Sequence, residues 1–233
     1  MDILRYDQQR VLILAPHADD ETIGCGGVIQ KYIQCASPVR VLIASFVMSD
    51  YRKYRKETGH YQTYSGNERL RELQRAMDVL GVNDVQFMYL DKSAKTKYHS
   101  KLDAIPRVDL VTKIENHIAE FQPTVVYIPS LTKHQDHETL HYAALGAARP
   151  YFWNGSVLVY ETDGELTFEP NLFIPLLKEE LQKKMEALNA FQTQVGSNLH
   201  PVHPDTMETK ARFRGQRVYV EFAEAFQILR MRG

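Results

Sequence analysis

Residues 17–21 bring together His17, Asp19, Asp20 and Glu21, and a second polar cluster, His134, Asp136 and His137, follows more than a hundred positions later. Imidazole and carboxylate bind borderline and hard cations and move protons near neutral pH. Two imidazoles and one carboxylate around an open coordination position is how a catalytic Zn²⁺ is held. The assignment that draws on both clusters takes His17, Asp20 and His137 as ligands. The same ligand types describe the iron site of non-haem oxygenases, so Fe²⁺ stays beside Zn²⁺ at this level. The spare carboxylates point to hydrolysis, which needs a base where oxygen activation does not.

Each cluster must be carried by an element. Val11-Leu12-Ile13-Leu14 is an apolar run of strand length, closed by Ala15-Pro16 just before His17. A helix over 21–35 and a strand over 39–44 complete a βαβ unit with a parallel strand pair. Further on, the pattern gives a helix over 67–81, a strand over 85–90 ending in Asp91, and a polar loop over 92–104. A helix over 107–121 and a strand over 124–129 lead to the second cluster. Helix 138–149, strand 156–161, helix 178–192, a His/Pro-rich loop at 198–205, a short helix at 206–214 and a last strand at 217–222 finish the chain. Alternating strands and helices predict an α/β fold, a Rossmann-like three-layer sandwich on a mostly parallel sheet. In such a sheet both clusters leave the same edge, so they can meet in space.

Composition sets limits. The 233 residues suit one domain spanning 1–233, with 44% hydrophobic and 24% charged residues. A formal net charge of −1 gives no global field for nucleic acid or an anionic membrane. No apolar run reaches membrane-spanning length, and the N-terminus lacks a secretory core. Two cysteines without a CxxC pattern fit a reduced, cytoplasmic protein. Residues 49–66 interleave four tyrosines with four basic residues, either as a solvated loop or as a wall that stacks on a sugar and pairs with an anionic group. Gly24-Cys25-Gly26-Gly27 follows the first polar cluster instead of occupying the first βα turn, which argues against a dinucleotide site. His137 to His141 also spells HExxH, the zinc-protease signature. That reading leaves residues 17–21 without a role and finds no third ligand downstream.

PHADDE with TIGCGG, paired with the later HQDH, resembles the zinc-dependent de-N-acetylases of the PIG-L or LmbE-like family. The likeness extends over nearly the whole chain, through residues 67–72, Ala76, Leu80-Gly81, Asp91, Lys184, Ala187-Leu188, 192–194, Arg214-Gly215 and 223–226. Ala18 stands where the family usually has proline, Thr193 where it has serine, and Thr132 where some members have tyrosine. The resemblance implies an N-deacetylase that releases acetate from an N-acetylglucosamine-type conjugate. Zn²⁺ would be held by His17, Asp20 and His137, and Asp19 would be the general base. Protonated His134 would stabilise the oxyanion, Asp136 would orient a histidine, and Arg69 and Asp91 would contact the sugar. The expected partner is a small amino-sugar, with an anionic aglycone favoured by loop 49–66, and neither nucleic acid nor membrane. The sequence leaves room for a homo-oligomer, and for two other activities, an HExxH protease or a non-catalytic sugar-binding relative.

Overall fold

Val11–Ala15 is apolar without a break and every side chain in it is fully shielded, as a central strand covered on both faces requires. The computed structural model describes residues 4–47, 66–91, 101–162, 168–195 and 200–232. In it this strand, β1, pairs in parallel with β2 (Val39–Val47) on one side and with β4 (Val125–Pro129) on the other. β3 (Asp84–Asp91) continues the sheet beyond β2, and β5 (Ser156–Tyr160) beyond β4, again in parallel. Then β7 (Phe222–Arg230) and β6 (Leu172–Leu176) add two antiparallel strands, giving the order β3-β2-β1-β4-β5-β7-β6.

Side chains alternate along the strands and split the core in two. Val11, Ile13, Val125 and Tyr127 face one layer, with α1 (Asp20–Gln34), α2 (Gly66–Leu80) and α5 (Lys178–Ala190). Leu12, Leu14, Val126 and Ile128 face the other, with α3 (Arg107–Phe121) and α4 (Gln135–Ala147). α6 (Pro204–Gln216) packs along β7 and joins Ile23 and Leu188 through Met207. The α/β three-layer sandwich expected from the sequence is therefore present. Among the described residues no helix is long and apolar enough to cross a membrane.

From β1 the chain winds outward to β2 and β3, then returns to start β4 on the other side of β1. Such a reversal opens a crevice at the carboxyl ends of the two strands. His17 follows β1 by two residues and His134 follows β4 by five, so both clusters stand at that crevice.

Several element limits differ from expectation, each for a physical reason. Residues 217–222 alternate like a strand, yet 217–221 close the end of α6. Val218 and Val220 donate their amides to Gly215 O, and Tyr219 takes φ 59° with its ring fully exposed. The last strand starts only at Phe222. β6 was not foreseen because Pro175 interrupts a five-residue run, but β6 is an edge strand, where a missing N–H is tolerated. α4 begins at Gln135 instead of 138, since the His134 ring accepts the Asp136 amide as an N-cap. Gly81 does end α2, at φ 77°, as expected.

The stretch 24–27 is about close approach. A Cβ on Gly24 would lie 2.1 Å from the ring of Tyr160, whose hydroxyl donates to Leu14 O across the core. Helix propensity alone favours alanine over glycine by about 1 kcal/mol. Overpacking against a buried ring costs about 1–3 kcal/mol and outweighs it. Gly24→Ala should therefore lower the free energy of urea unfolding. An unchanged or raised value would show that α1 does not press on Tyr160 as described.

Candidate active site

The turn after β1 folds back on itself. Asp20 Oδ2 accepts the His17 amide at 3.1 Å and lies 3.3 Å from His17 Nδ1 and 3.4 Å from His137 Nε2. All three ligand atoms lie within 4.8 Å of one another. A tetrahedral ion with arms of about 2.05 Å has edges of roughly 3.3 Å. Both spacings from Asp20 match edges of such a tetrahedron, and the residues fit a metal ion.

The charges make the same case. Asp20 and Asp136 are both buried beside one imidazole. Burial alone would lower the pKa of His17, but hydrogen bonds to Asp136 and Asp20 push it up to about 10. Burial also opposes the charge on Asp20, yet His137 and His17 hold its carboxylate well below the usual range. The pocket is built for a cation, supplied by a proton on His17 or by a metal ion in its place. Asp136 orients the outer side of the same ring: its Oδ2 lies 2.9 Å from His17 Nε2, and its Oδ1 accepts the Leu102 amide at 2.7 Å. A carboxylate behind a metal-facing imidazole fixes tautomer and ring orientation and raises the basicity of the ligand nitrogen.

Asp19 stands at the N-cap of α1 without using its side chain as a cap. Its carbonyl accepts the Thr22 and Ile23 amides, and its own amide donates to Glu21 Oε2 at 3.0 Å. The residue sits at φ 145°, ψ −32°, a strained conformation for a non-glycine residue that costs about 1–3 kcal/mol. The carboxyl pKa is raised by burial and by the charge of Asp20, while Arg69 pulls the other way. That raised value suits a proton acceptor working near neutral pH.

The surroundings of His134 favour the neutral ring over the protonated one that the resemblance implies. Nδ1 accepts the Asp136 amide, which leaves Nε2 as the N–H, and burial together with His17 and His137 lowers its pKa. The ring is placed to donate as a neutral imidazole. Rings 17 and 134 meet edge to face at 4.9 Å, and rings 134 and 137 lie 5.1 Å apart.

A cleft of about 350 Å³ opens over these groups, lined by His17, Asp19, Asp20, Arg69, His134 and His137 and, on the far wall, by Thr193, Gln194 and His200. Arg69 reaches across to Ala18 O at 3.3 Å, at the position usually held by proline. Asp91 ends β3 opposite Val47, and its side chain lies outside the described residues, as do residues 49–65 of the basic, tyrosine-rich segment. His141 turns away from the cluster: its Nδ1 pairs with Pro129 O at 2.7 Å in the core. The HExxH histidines therefore do not converge, and no His141 group is close enough to share an ion among the described residues.

Three residues with no assigned role in the sequence reading turn out to hold the site. Glu21 is fully buried and braces Asp19. Glu72, buried on α2, accepts the Thr193 amide and hydroxyl at 2.8 and 2.6 Å, which explains why a hydroxyl residue stands there. Glu224 accepts the Gly27 and Val28 amides while Lys184 binds both Glu224 and Ile23 O, so the pair grips α1 at mid-length. Only the resemblance of 223–226 and Lys184 to family motifs signalled these partners; spacing did not.

Residues 12–148, more than half the chain, match the family described as PIG-L, GlcNAc-PI de-N-acetylase. Over 208 residues the chain is 26% identical to a probable N-acetyl-alpha-D-glucosaminyl L-malate deacetylase 2 from Bacillus anthracis, covering 83% of this chain and 84% of that protein. Among solved structures it is similar to the N,N'-diacetylchitobiose deacetylase of Pyrococcus horikoshii, with TM-score 0.74, 20% identity, and 98% and 87% of the two chains covered. It is similar too to 4-carboxy-2-hydroxymuconate hydratase GalB from Pseudomonas putida, with TM-score 0.73, 16% identity, and 96% and 98% covered. A shared fold thus accommodates a hydratase as well, and the reaction has to be argued from the site. With the match running through both polar clusters, the chain belongs to the PIG-L de-N-acetylase family.

Proposed function

We propose that the protein is a metal-dependent hydrolase that removes acetyl from an N-acetylglucosamine-type conjugate carrying an anionic aglycone, releasing acetate and the free amine. The observation that carries the reading is the convergence of His17, Asp20 and His137 with a strained, high-pKa Asp19 beside them. His17, Asp20 and His137 would hold Zn²⁺, with Fe²⁺ as the other ion suited to this donor set. When bound, the ion supplies Lewis acidity and lowers the pKa of water toward 7.

The chain's own groups do the rest. Asp19 takes the proton of the attacking water. His134 Nε2–H donates to the oxygen that gains charge at the acetamide carbonyl, a contribution of about 10²–10³ in rate for one such donor. Being neutral, His134 has one N–H at that face, already committed to the oxyanion. Asp19, now protonated, is therefore the group that returns a proton to the departing amine. Asp136 keeps His17 in one orientation throughout. Arg69 is placed to meet sugar hydroxyls or the negative charge of the aglycone, and Asp91 is proposed as a second sugar contact. The relatives named for an L-malate conjugate support a carboxylate-bearing aglycone. A single domain acting in a reducing, cytoplasmic setting is supported by one continuous sheet and by two free thiols, Cys25 and Cys35.

Acetate release from N-acetylglucosaminyl malate and from a neutral methyl glycoside tests the reading. The metal-loaded protein should release acetate, faster from the malate conjugate. Asp19→Gly should keep the metal and lose about 10²–10⁴ in kcat. The same substitution relieves the backbone strain and should raise Tm by roughly 2–4 °C. No acetate from either compound, or full turnover by Asp19→Gly, would refute the assignment.

The charge arrangement also sets a pH dependence for the metal-stripped protein. A His17 pKa raised from 6.5 to about 10 gives stability that is complete below pH 6.5 and lost as pH rises toward 10. Asp20, depressed, gives stability that is lost only as the solution turns acidic. Thermal melts of chelated protein should fall between pH 6.5 and 10, while melts of metal-loaded protein stay nearly level, because the ion replaces the proton. Parallel curves with and without metal would contradict this.

A further inference from the structure

We infer that Glu21 is a positioning residue for the proton-transfer step, acting only through Asp19. The inference rests on the deacetylase reading above and adds a function for a residue outside the ligand set and the proton relay. Glu21 is fully buried in the first turn of α1. Its two carboxylate oxygens have separate duties. Oε2 accepts the Asp19 amide at 3.0 Å, and Oε1 accepts the Thr22 hydroxyl at 2.8 Å. Burying a carboxylate is expensive, and although the Asp19 amide and the Thr22 hydroxyl bond its oxygens, burial still pushes the Glu21 pKa up to about 7.

The Asp19 amide cannot be held by the helix. It precedes α1 and has no i−4 carbonyl, so at φ 145° it would be left over. A Glu21 oxygen two residues ahead closes a small ring around that amide. The Asp19 carbonyl is fixed from the other side by the Thr22 and Ile23 amides. With amide and carbonyl both tied, the backbone stays in the strained well, and the carboxyl that would otherwise cap α1 stands instead in the cleft wall, within electrostatic reach of Arg69 and His17. Asp20, next in the chain, leaves the same turn toward the two imidazoles. Two adjacent carboxylates with different duties need this kink. In a relaxed N-cap conformation Asp19 would bond the first-turn amides and leave the cleft.

The test compares Glu21→Gln, Glu21→Met and Glu21→Asp, each metal-loaded, with Asp19→Ala as reference. Gln keeps an acceptor for the Asp19 amide and can donate to Thr22 once that hydroxyl turns, so kcat should stay within about threefold. Met fills the space without an acceptor: kcat should fall at least tenfold with KM within threefold and one metal ion per chain. Asp keeps the charge and draws the acceptor back by one methylene; it should lose at least tenfold in kcat, and it serves as the decisive variant where Glu21→Met does not fold. In the Asp19→Ala background the Glu21→Asp change should have no further effect on the residual rate. Wild-type kcat in Glu21→Asp, or an equal additional loss in the Asp19→Ala background, would overturn the inference while leaving the deacetylase reading intact. An inactive wild-type protein would instead sink that reading.

Discussion

A buried carboxylate with no cation of its own governs the site. Asp20 is almost wholly out of water, and one of its oxygens takes the His17 amide while facing two imidazoles. An isolated carboxylate at such a place would neutralise itself by taking up a proton. It stays charged because positive charge is brought to it, and the histidines come from opposite sides of the sheet's reversal point. The meeting of β1 and β4 is thus an electrostatic requirement as much as a topological one. The sheet places the two turns together, and the shared charge of Asp20 with His17 and His137 ties them there.

That arrangement asks for a rigid α1, whose first turn carries Asp20 and Glu21. The helix is short of side-chain bulk where it touches the sheet, and a buried Lys184–Glu224 pair grips it at Ile23, Gly27 and Val28. Removing one member of such a pair leaves an uncompensated buried charge, worth about 3–5 kcal/mol. Segments from α5 and β7, far apart in the chain, therefore act on the same helix that presents Asp20. Glu72 does a similar job across the cleft, tying Thr193 and the far wall to α2, the helix that also carries Arg69. Precision in the centre comes from polar ties at its margins.

Much of this was legible in the chain itself. Four apolar residues ahead of His17, and the run Val125–Ile128 ahead of His134, announced buried parallel strands, and parallel strands deliver their loops to one edge. The candidate ligand set followed from that and from residue type. Less was legible at the end of the chain. The alternation in residues 217–222 looks like a strand because period-two hydrophobicity takes no account of a helix end closing on its own carbonyls. β6 was hidden by Pro175, which only an edge position permits. Spacing could not show that His134 Nδ1 caps a helix, a contact that sets its tautomer and stands against the protonated ring that the resemblance implies. Nor could any spacing rule find Glu224, 197 positions from Gly27, since ties of that length exist only once the sheet is assembled.

The proposed chemistry depends on a single ion at the junction of the two turns. The most direct measurement is anomalous scattering from crystals of the protein grown with Zn²⁺ and recorded at the zinc edge. One strong peak per chain is expected, within about 2.0–2.2 Å of a nitrogen of His17, an oxygen of Asp20 and a nitrogen of His137. A peak bridging His137 and His141, or no peak between residues 17, 20 and 137 at saturating zinc, would contradict it.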